Sequence, residues 1–270
     1  MHSLSIGPLA LATTHVLTLL ALLLMSWVGQ RVLRRAAAGT QTPVPALDNG
    51  LWLALLLAVL VARLGFIARH LALYLQSPAS WIDLRDGGYQ PLDGLIAFIV
   101  LLLLWGWRVR LLRRPLLLGA LAGALLWGGG WLAFGRHRDV RLPEVRLQDL
   151  QGRPVDLRRL AAGRPLVLNL WATWCPPCRR ELPALVAAQQ QRPQALIVLA
   201  DQGESAAVVQ AYLARIGLQP RDVLLDPRGE LATQVGSSGL PTTLFYDAEG
   251  RLLSRYMGEL SLPALLARLP

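Results

Sequence analysis

Long apolar stretches dominate the first half of the chain, and their pattern predicts four transmembrane helices. A helix needs about 20 apolar residues to cross the roughly 30 Å hydrocarbon core of a bilayer. The stretches that approach or exceed this length are residues 6–28, 51–74, 91–107 and 115–134. The third stretch is short, so we expect the side chains at its ends to reach toward the membrane surface. We therefore predict a helical membrane domain over residues 1–138.

The pattern changes near residue 140, where charged residues become frequent and apolar runs shorten to five or six residues. The short apolar runs that predict strands are residues 165–172, 195–200, 242–246 and 252–256. The segments with helical spacing are residues 179–190, 205–216 and 261–269. This succession predicts an α/β fold with a central sheet flanked by helices. We assign it to a second domain, residues 139–270.

Arg63 interrupts the second apolar stretch. A charge within a membrane span is costly and is often functional, so Arg63 could mark a site for a lipid headgroup or an ion pair. Alternatively, the helix ends earlier and Arg63 reaches the interface. The sequence leaves both interpretations open.

The composition agrees with a membrane protein, since 54% of the 270 residues are hydrophobic and only 16% are charged. The net charge of +10 could suggest a nucleic-acid partner. However, the basic surplus of the first half lies beside the apolar stretches, where basic residues set membrane orientation. The sequence contains no basic stripe interleaved with aromatic residues. We therefore expect the lipid bilayer as a partner and no nucleic acid.

The basic residues also predict how the chain is oriented in the membrane. Three arginines follow the first stretch, and four follow the third: Arg31, Arg34, Arg35, Arg108, Arg110, Arg113 and Arg114. Basic loops remain in the cytoplasm, so the acidic loop between the second and third stretches should lie outside. Arginines 136, 138 and 141 favour the opposite side, but the two internal loops outweigh them. No basic stretch precedes the first helix, so we expect it to be an uncleaved span. These features predict a multi-pass protein of the bacterial cytoplasmic membrane, with its C-terminal domain in the periplasm.

The chain contains only two cysteines, Cys175 and Cys178, between a predicted strand and a predicted helix. Unpaired N–H groups at a helix N-terminus favour a thiolate, and a thiolate is the species that attacks a disulfide. We therefore predict that Cys175 is the nucleophile and that Cys178 resolves the mixed disulfide. A structural zinc site needs four ligands, so we predict no metal and no cofactor other than a redox-active Cys175–Cys178 disulfide.

Two motifs resemble the thioredoxin superfamily, and most closely its TlpA/ResA-like branch. They are the segment WATWCPPC at residues 171–178 and the segment GLPTT at residues 239–243. The resemblance implies a thioredoxin-like fold and a cis peptide bond before Pro241, whereas an ordinary proline would be trans. It also implies that Leu240 offers its backbone to the substrate. We predict that Trp174 and Pro176 contact the substrate as well, although Trp174 could instead be a packing residue.

Two further positions match the same branch. Asn169 stands where cytoplasmic thioredoxins have a buried aspartate, and Glu181 matches an acidic residue near the active site. A carboxylate there could transfer protons during exchange and perturb the cysteine pKa values. Alternatively, Glu181 only complements the dipole of its helix.

The membrane half has a weaker resemblance, to prolipoprotein diacylglyceryl transferase. It rests on Ala62-Arg63-Leu64-Gly65, Asp86-Gly87-Gly88-Tyr89 and Gly94-Leu95. The His-Gly-Gly motif of that family would fall on Leu92-Asp93-Gly94, so the histidine is missing. The resemblance implies a truncated relative that serves as an anchor or a docking surface.

Together these features predict an extracytoplasmic thiol–disulfide oxidoreductase. The resemblance implies a reductase of protein disulfides, for example in cytochrome c maturation or at metal-site cysteines. The membrane half contains no cysteine, so a reductase would need another electron donor, such as a DsbD-like thiol transporter. The alternatives are a disulfide oxidase, a lipid-modifying protein with an accessory thioredoxin domain, and a copper-binding module.

Overall fold

The computed structural model describes residues 3–6, 9–38, 47–76, 78–134 and 141–269. The chain divides into two compact units, each assembled from two segments. Unit one comprises residues 1–69 and 89–137, and unit two comprises residues 70–88 and 138–270. Residues 70–88, which lie between two predicted membrane helices, thus belong to the unit that contains the cysteines. The predicted domain boundary at residue 138 lies outside the described residues.

Unit one contains four long apolar helices, as the sequence predicts. They are α1 (Thr13–Ala37), α2 (Leu47–Arg69), α4 (Pro91–Arg108) and α5 (Arg113–Phe134). Each helix is long and apolar enough to cross a membrane. Two short strands, β1 (Ser3–Ile6) and β2 (Leu9–Ala12), form an antiparallel pair before α1.

The bounds of two of these helices differ from the prediction. Because β2 occupies residues 9–12, α1 starts at Thr13 and extends to Ala37. The second helix ends at Arg69 rather than at residue 74, since His70 leaves the helical conformation. Arg63 nevertheless lies well inside α2, and its side chain is buried. The central carbon of its guanidinium group is 5.6 Å from the centroid of the Tyr89 ring. The interpretation that α2 ends before Arg63 is therefore wrong.

Small residues allow the helices of unit one to approach closely. Gly119 and Gly123 of α5 face the α1 backbone, and a Cβ atom at either position would lie within 3 Å of the carbonyl oxygen of Met25 or Ala21. Close packing at small residues is typical of helices that associate inside a bilayer. The α1–α5 contact therefore has the character of a membrane helix pair.

Unit two contains a seven-stranded mixed sheet in the order β4-β3-β7-β6-β5-β8-β9. The strands are β3 (Leu147–Asp149), β4 (Pro154–Val155), β5 (Leu166–Trp171), β6 (Leu196–Gln202), β7 (Asp222–Asp226), β8 (Thr242–Tyr246) and β9 (Leu252–Met257). The three strands β7, β6 and β5 are mutually parallel, and β8 is antiparallel to β5. The carboxyl ends of the parallel strands therefore meet at one edge of the sheet.

Helices surround this sheet, and the fold is thioredoxin-like, as the sequence predicts. They are α3 (Leu71–Leu75), α6 (Leu157–Ala161), α7 (Pro176–Gln191), α8 (Ala206–Ile216), α9 (Glu230–Gln234) and α10 (Leu262–Leu266). The long predicted helices and the four predicted strands are all present. Two helices differ in their bounds, since α7 begins at Pro176, three residues before the predicted start, and α10 ends at Leu266, three residues before the predicted end.

Both faces of the sheet are buried, which explains why its central strands read as continuous apolar runs. In β5, Leu166, Leu168 and Leu170 enter one core cluster. Val167 and Trp171 enter the other cluster, which contains both cysteines. Because side chains alternate along a strand, Asn169 is directed toward the cysteine side of the sheet.

Candidate active site

The two cysteines lie where β5 passes into α7. Cys175 is the N-cap residue of α7, and its sulfur accepts a hydrogen bond from the Cys178 N–H at 3.3 Å. The two residues form a disulfide with their Cα atoms 5.3 Å apart. Pro176 and Pro177 occupy the first helical turn, where the N–H group that proline lacks would have no helical partner. The local sequence thus places both sulfurs at the positive end of the helix dipole.

The surroundings of the disulfide are unevenly exposed. Both cysteines are almost completely buried. Trp174 is 64% exposed, and Pro176 is exposed as well. Of the residues predicted to contact a substrate, these two are accessible from solvent beside the sulfurs.

The loop before β8 has the geometry that the resemblance implies. The Leu240–Pro241 peptide bond is cis, so this geometric prediction is confirmed. The Pro241 carbonyl accepts a hydrogen bond from the Gly258 N–H at 2.9 Å, and the Thr242 hydroxyl donates to the Gly239 carbonyl at 2.7 Å. The half-buried Leu240 packs against the cluster that contains both cysteines. The structure therefore brings the GLPTT and CPPC segments to the same buried cluster.

Glu181 is a buried carboxyl one turn beyond Cys178 on α7. It is 1% exposed, and its Oε1 atom accepts a hydrogen bond from the Leu260 N–H at 3.3 Å. Its Oε2 atom lies 3.5 Å from the Nδ2 atom of Asn169, which also donates to the Thr243 hydroxyl at 2.9 Å. Burial raises the pKa of Glu181 to about 8, although these hydrogen bonds partly offset the effect. In the disulfide state Glu181 is therefore largely protonated at neutral pH.

A second buried carboxyl lies behind the loop that leads to Cys175. Asp201, near the end of β6, is fully buried, and its Oδ1 atom accepts from the Glu204 N–H at 3.1 Å. Glu204 in turn accepts hydrogen bonds from the N–H and the hydroxyl of Thr173, both at 2.6 Å. Burial, assisted by the neighbouring Glu204 carboxyl, raises the pKa of Asp201 to about 8.

Asp201 and Glu204 were not among the residues that the sequence singled out. One signal was available, because Asp201 directly follows the apolar run of β6 and pairs in register with Trp171 of the parallel strand β5. An acidic residue at the end of a strand beside the cysteine strand is a candidate for the same site.

The chain is similar in sequence to known thiol–disulfide oxidoreductases. The sequence profile of the AhpC/TSA family matches residues 139–255. The thiol-disulfide oxidoreductase ResA of Bacillus cereus is 28% identical over 159 residues, which cover 56% of this chain and 89% of the relative. The thiol:disulfide interchange protein DsbE of Tatumella citrea is 30% identical over 168 residues, with 56% and 87% covered. The structure of a thiol:disulfide interchange protein from Chlorobium tepidum matches 48% of this chain and 92% of that protein, at 26% identity and a TM-score of 0.42.

Proposed function

The chain belongs to the TlpA/ResA-like family of thioredoxin-fold thiol–disulfide oxidoreductases, and on this premise we propose that it is a membrane-anchored reductase of protein disulfides. Its site would face the periplasm, and its substrates would include disulfides formed in cytochrome c maturation or between metal-site cysteines. The observation that carries the chemistry is the Cys175–Cys178 disulfide at the N-terminus of α7, with the buried acid Glu181 one turn away. The reductase direction follows the usual role of the family.

Reduction of a substrate proceeds in two sulfur exchanges. The Cys175 thiolate attacks one sulfur of a substrate disulfide, which forms a mixed disulfide and releases the other substrate sulfur as a thiolate. Cys178 then gives its proton to Glu181 and attacks the Cys175 sulfur, and the second substrate thiolate leaves. The substrate gains two electrons, and the Cys175–Cys178 disulfide forms. Trp174, Pro176 and the Leu240 backbone contact the substrate, and Pro241 fixes that backbone.

Recharging reverses these exchanges and uses the protonated form of Glu181. A donor thiolate attacks the Cys175 sulfur, and Cys178 departs and takes the Glu181 proton. The raised pKa of Glu181 supports this role, because the acid has a proton to deliver at neutral pH. Since residues 1–138 contain no cysteine, the electrons come from another protein, such as a DsbD-like thiol transporter.

The four helices of unit one would anchor the protein in the bilayer. Their surfaces expose large apolar side chains such as Leu56, Leu103 and Leu125, which suit a lipid environment. The positive-inside rule puts residues 70–88 in the periplasm. Since these residues share one compact unit with the thioredoxin fold, the same rule supports a periplasmic active site.

Labelling single cysteines tests this orientation. In a Cys175→Ser/Cys178→Ser background, we expect Leu84→Cys and Leu253→Cys to react with a membrane-impermeant maleimide on intact spheroplasts, because both positions are exposed on the periplasmic unit. Arg110→Cys should react only after permeabilisation, since it lies between α4 and α5 on the cytoplasmic side. The reverse labelling pattern would refute the orientation.

The redox state of the cysteines in cells tests the direction of electron flow. We expect the Cys175–Cys178 pair to be mostly reduced after acid quenching and maleimide alkylation, because a reductase is kept charged by its donor. Deletion of the DsbD-like transporter should shift the pair to the oxidised form. The redox forms are separated by gel mobility after alkylation, and the Cys175→Ser/Cys178→Ser variant marks the position of a chain without thiols. A mostly oxidised pool in the presence of the transporter would favour an oxidase instead.

A further inference from the structure

Residues 70–88 are an integral part of the thioredoxin unit, although they lie between α2 and α4 in the sequence. α3 packs against α10, and Leu73 packs against the buried cluster that contains both cysteines. Within the segment, the Trp81 indole donates a hydrogen bond to the Tyr74 carbonyl at 3.0 Å. The segment therefore has defined internal structure as well as contacts with the fold.

Asp86 is the centre of this attachment. Its side chain is fully buried, and its Oδ2 atom accepts hydrogen bonds from the Tyr74 hydroxyl at 2.9 Å and the Ser261 hydroxyl at 2.8 Å. Its Oδ1 atom accepts from the Gly88 N–H at 2.9 Å. Three hydrogen bonds therefore converge on this buried side chain, and one of them ties Ser261 to the segment.

Two more hydrogen bonds hold the backbone on either side of Asp86. The Tyr256 hydroxyl donates to the Arg85 carbonyl at 2.7 Å, and the Arg268 guanidinium donates to the Gly87 carbonyl at 2.7 Å. The same guanidinium lies over the Tyr256 ring, 5.0 Å from its centroid. The Tyr256 and Arg268 side chains thus hold the two residues that flank Asp86.

The attachment reaches the acid of the active site through one short stretch of backbone. Ser261 is the N-cap of α10, where its hydroxyl accepts from the Ala264 N–H at 3.3 Å. The preceding residue, Leu260, donates its N–H to Glu181 at 3.3 Å. Adjacent residues therefore bind Asp86 on one side and Glu181 on the other.

We propose that Asp86 is a positioning residue for the redox site, because its bond to Ser261 holds the Leu260 N–H against the Glu181 carboxyl. The inference rests on the proposed function in one respect, namely that Glu181 transfers the proton of Cys178. On this proposal, Asp86 of the 70–88 segment positions the Glu181 carboxyl, which lies about 95 residues later in the sequence.

The groups around Glu181 determine whether its pKa rises or falls when the hydrogen bond from Leu260 is weakened. Burial raises its pKa, the hydrogen bonds from Leu260 and Asn169 lower it, and the Glu259 carboxylate raises it. Glu259 is itself paired with Arg180 of α7 at 2.8 Å, and Tyr256 of β9 interacts electrostatically with Glu181. A hydrogen bond with the neutral Thr243 hydroxyl of β8 also lowers the pKa of Glu181. If Leu260 moves away, the ionised form of Glu181 loses a donor, and its pKa should rise further.

The test is a titration of Glu181 in the oxidised full-length protein in detergent. Glutamate labelled with ¹³C at the carboxyl carbon gives one signal that disappears in Glu181→Gln, and its chemical shift reports ionisation against pH. We expect Asp86→Asn and Ser261→Ala each to raise the midpoint by about one pH unit, the effect of weakening one hydrogen bond to a carboxylate. Ser261→Ala retains the Asp86 side chain and serves as the second variant if Asp86→Asn does not fold.

Asp83→Asn is the matched control, because it removes a carboxylate from the same segment that accepts a hydrogen bond from the Arg85 N–H at 3.0 Å. We expect its midpoint to equal that of the unmodified protein. If the substitutions changed the Glu181 midpoint only by removing a negative charge, Asp86→Asn and Asp83→Asn would both lower it and Ser261→Ala would leave it unchanged. That result would overturn the proposal. Coincident midpoints for all variants would overturn it as well. Failure of the proposed function would differ, since Glu181→Gln would then leave disulfide exchange unaffected.

Discussion

Cys175→Ser is expected to reduce thiol–disulfide exchange to the rate measured without protein. The reaction requires a sulfur anion at the start of α7, where the helix dipole and the Cys178 N–H stabilise negative charge. A serine hydroxyl remains protonated in the same position and forms no disulfide. Reduction of a model protein disulfide by the full chain, with dithiothreitol as the electron source, measures the loss.

Cys178→Ser is the matched partner of this variant, because it keeps the nucleophile and removes the resolving thiol. It should form a mixed disulfide with its substrate that persists on a non-reducing gel, and Cys175→Ser should form none. If Cys175→Ser retained exchange while Cys178→Ser lost it, the two roles would be reversed. If both variants remained active, sulfur chemistry at this site would not be the function.

Glu181→Gln is expected to slow reduction of the Cys175–Cys178 disulfide by on the order of a hundred-fold near neutral pH, the contribution typical of one general acid. The folded-state pKa of about 8 means that the proton is present below that pH and absent above it. The acid-dependent part of the rate should therefore fall as pH rises through about 8, and Glu181→Gln should lack this transition. Stopped-flow tryptophan fluorescence at a series of pH values measures the rate.

The raised pKa of Glu181 also makes the stability of the folded protein depend on pH. A carboxyl whose pKa is raised on folding stabilises the folded state fully below its unfolded pKa, near 4.5, and loses that contribution as pH rises through about 8. The oxidised protein should thus become less stable between these values, and Glu181→Gln should show a shallower decline.

Asp201→Asn distinguishes proton transfer from a general effect of buried acids. The pKa of Asp201 is also raised to about 8, so this variant should likewise flatten the stability curve. It should nevertheless keep the transition near pH 8 in the rate of disulfide reduction, because Asp201 bonds to Glu204 rather than to the helix of the cysteines. If Asp201→Asn lost that transition and Glu181→Gln kept it, the proton donor would be Asp201 and not Glu181.

Much of the fold could be predicted because its central strands are fully buried. Apolar runs located the buried strands β5, β6 and β8 and also the partly exposed edge strand β9. The CPPC and GLPTT segments located the two loops that meet at the cysteine cluster. The strand β7 was missed because its two aspartates, Asp222 and Asp226, flank only three apolar residues. The edge strands β3 and β4 are only three and two residues long, so pairing with their neighbours defines them rather than their own pattern.

Some features of the candidate site were beyond local sequence patterns. Glu181 was predicted by resemblance, but the Leu260 N–H that binds it lies 79 residues later, between β9 and α10. Asp86 lies 175 residues from Ser261, and nothing in the spacing of either residue indicates the contact. Long-range hydrogen bonds between polar loops leave no periodic signal, so only the three-dimensional structure identifies them.

The thioredoxin fold of this protein is discontinuous along the chain, with α4 and α5 inserted between α3 and the first strand of the sheet. A soluble fragment that starts at residue 139 would lack Leu73 and Asp86, so the cysteine cluster would lose the packing of Leu73 and the Ser261 hydroxyl would lose its acceptor. During synthesis, the α3 segment emerges before α4 and α5, and its packing partner α10 is made only after both of them. Completion of the redox domain is thereby delayed until both inserted helices have been made.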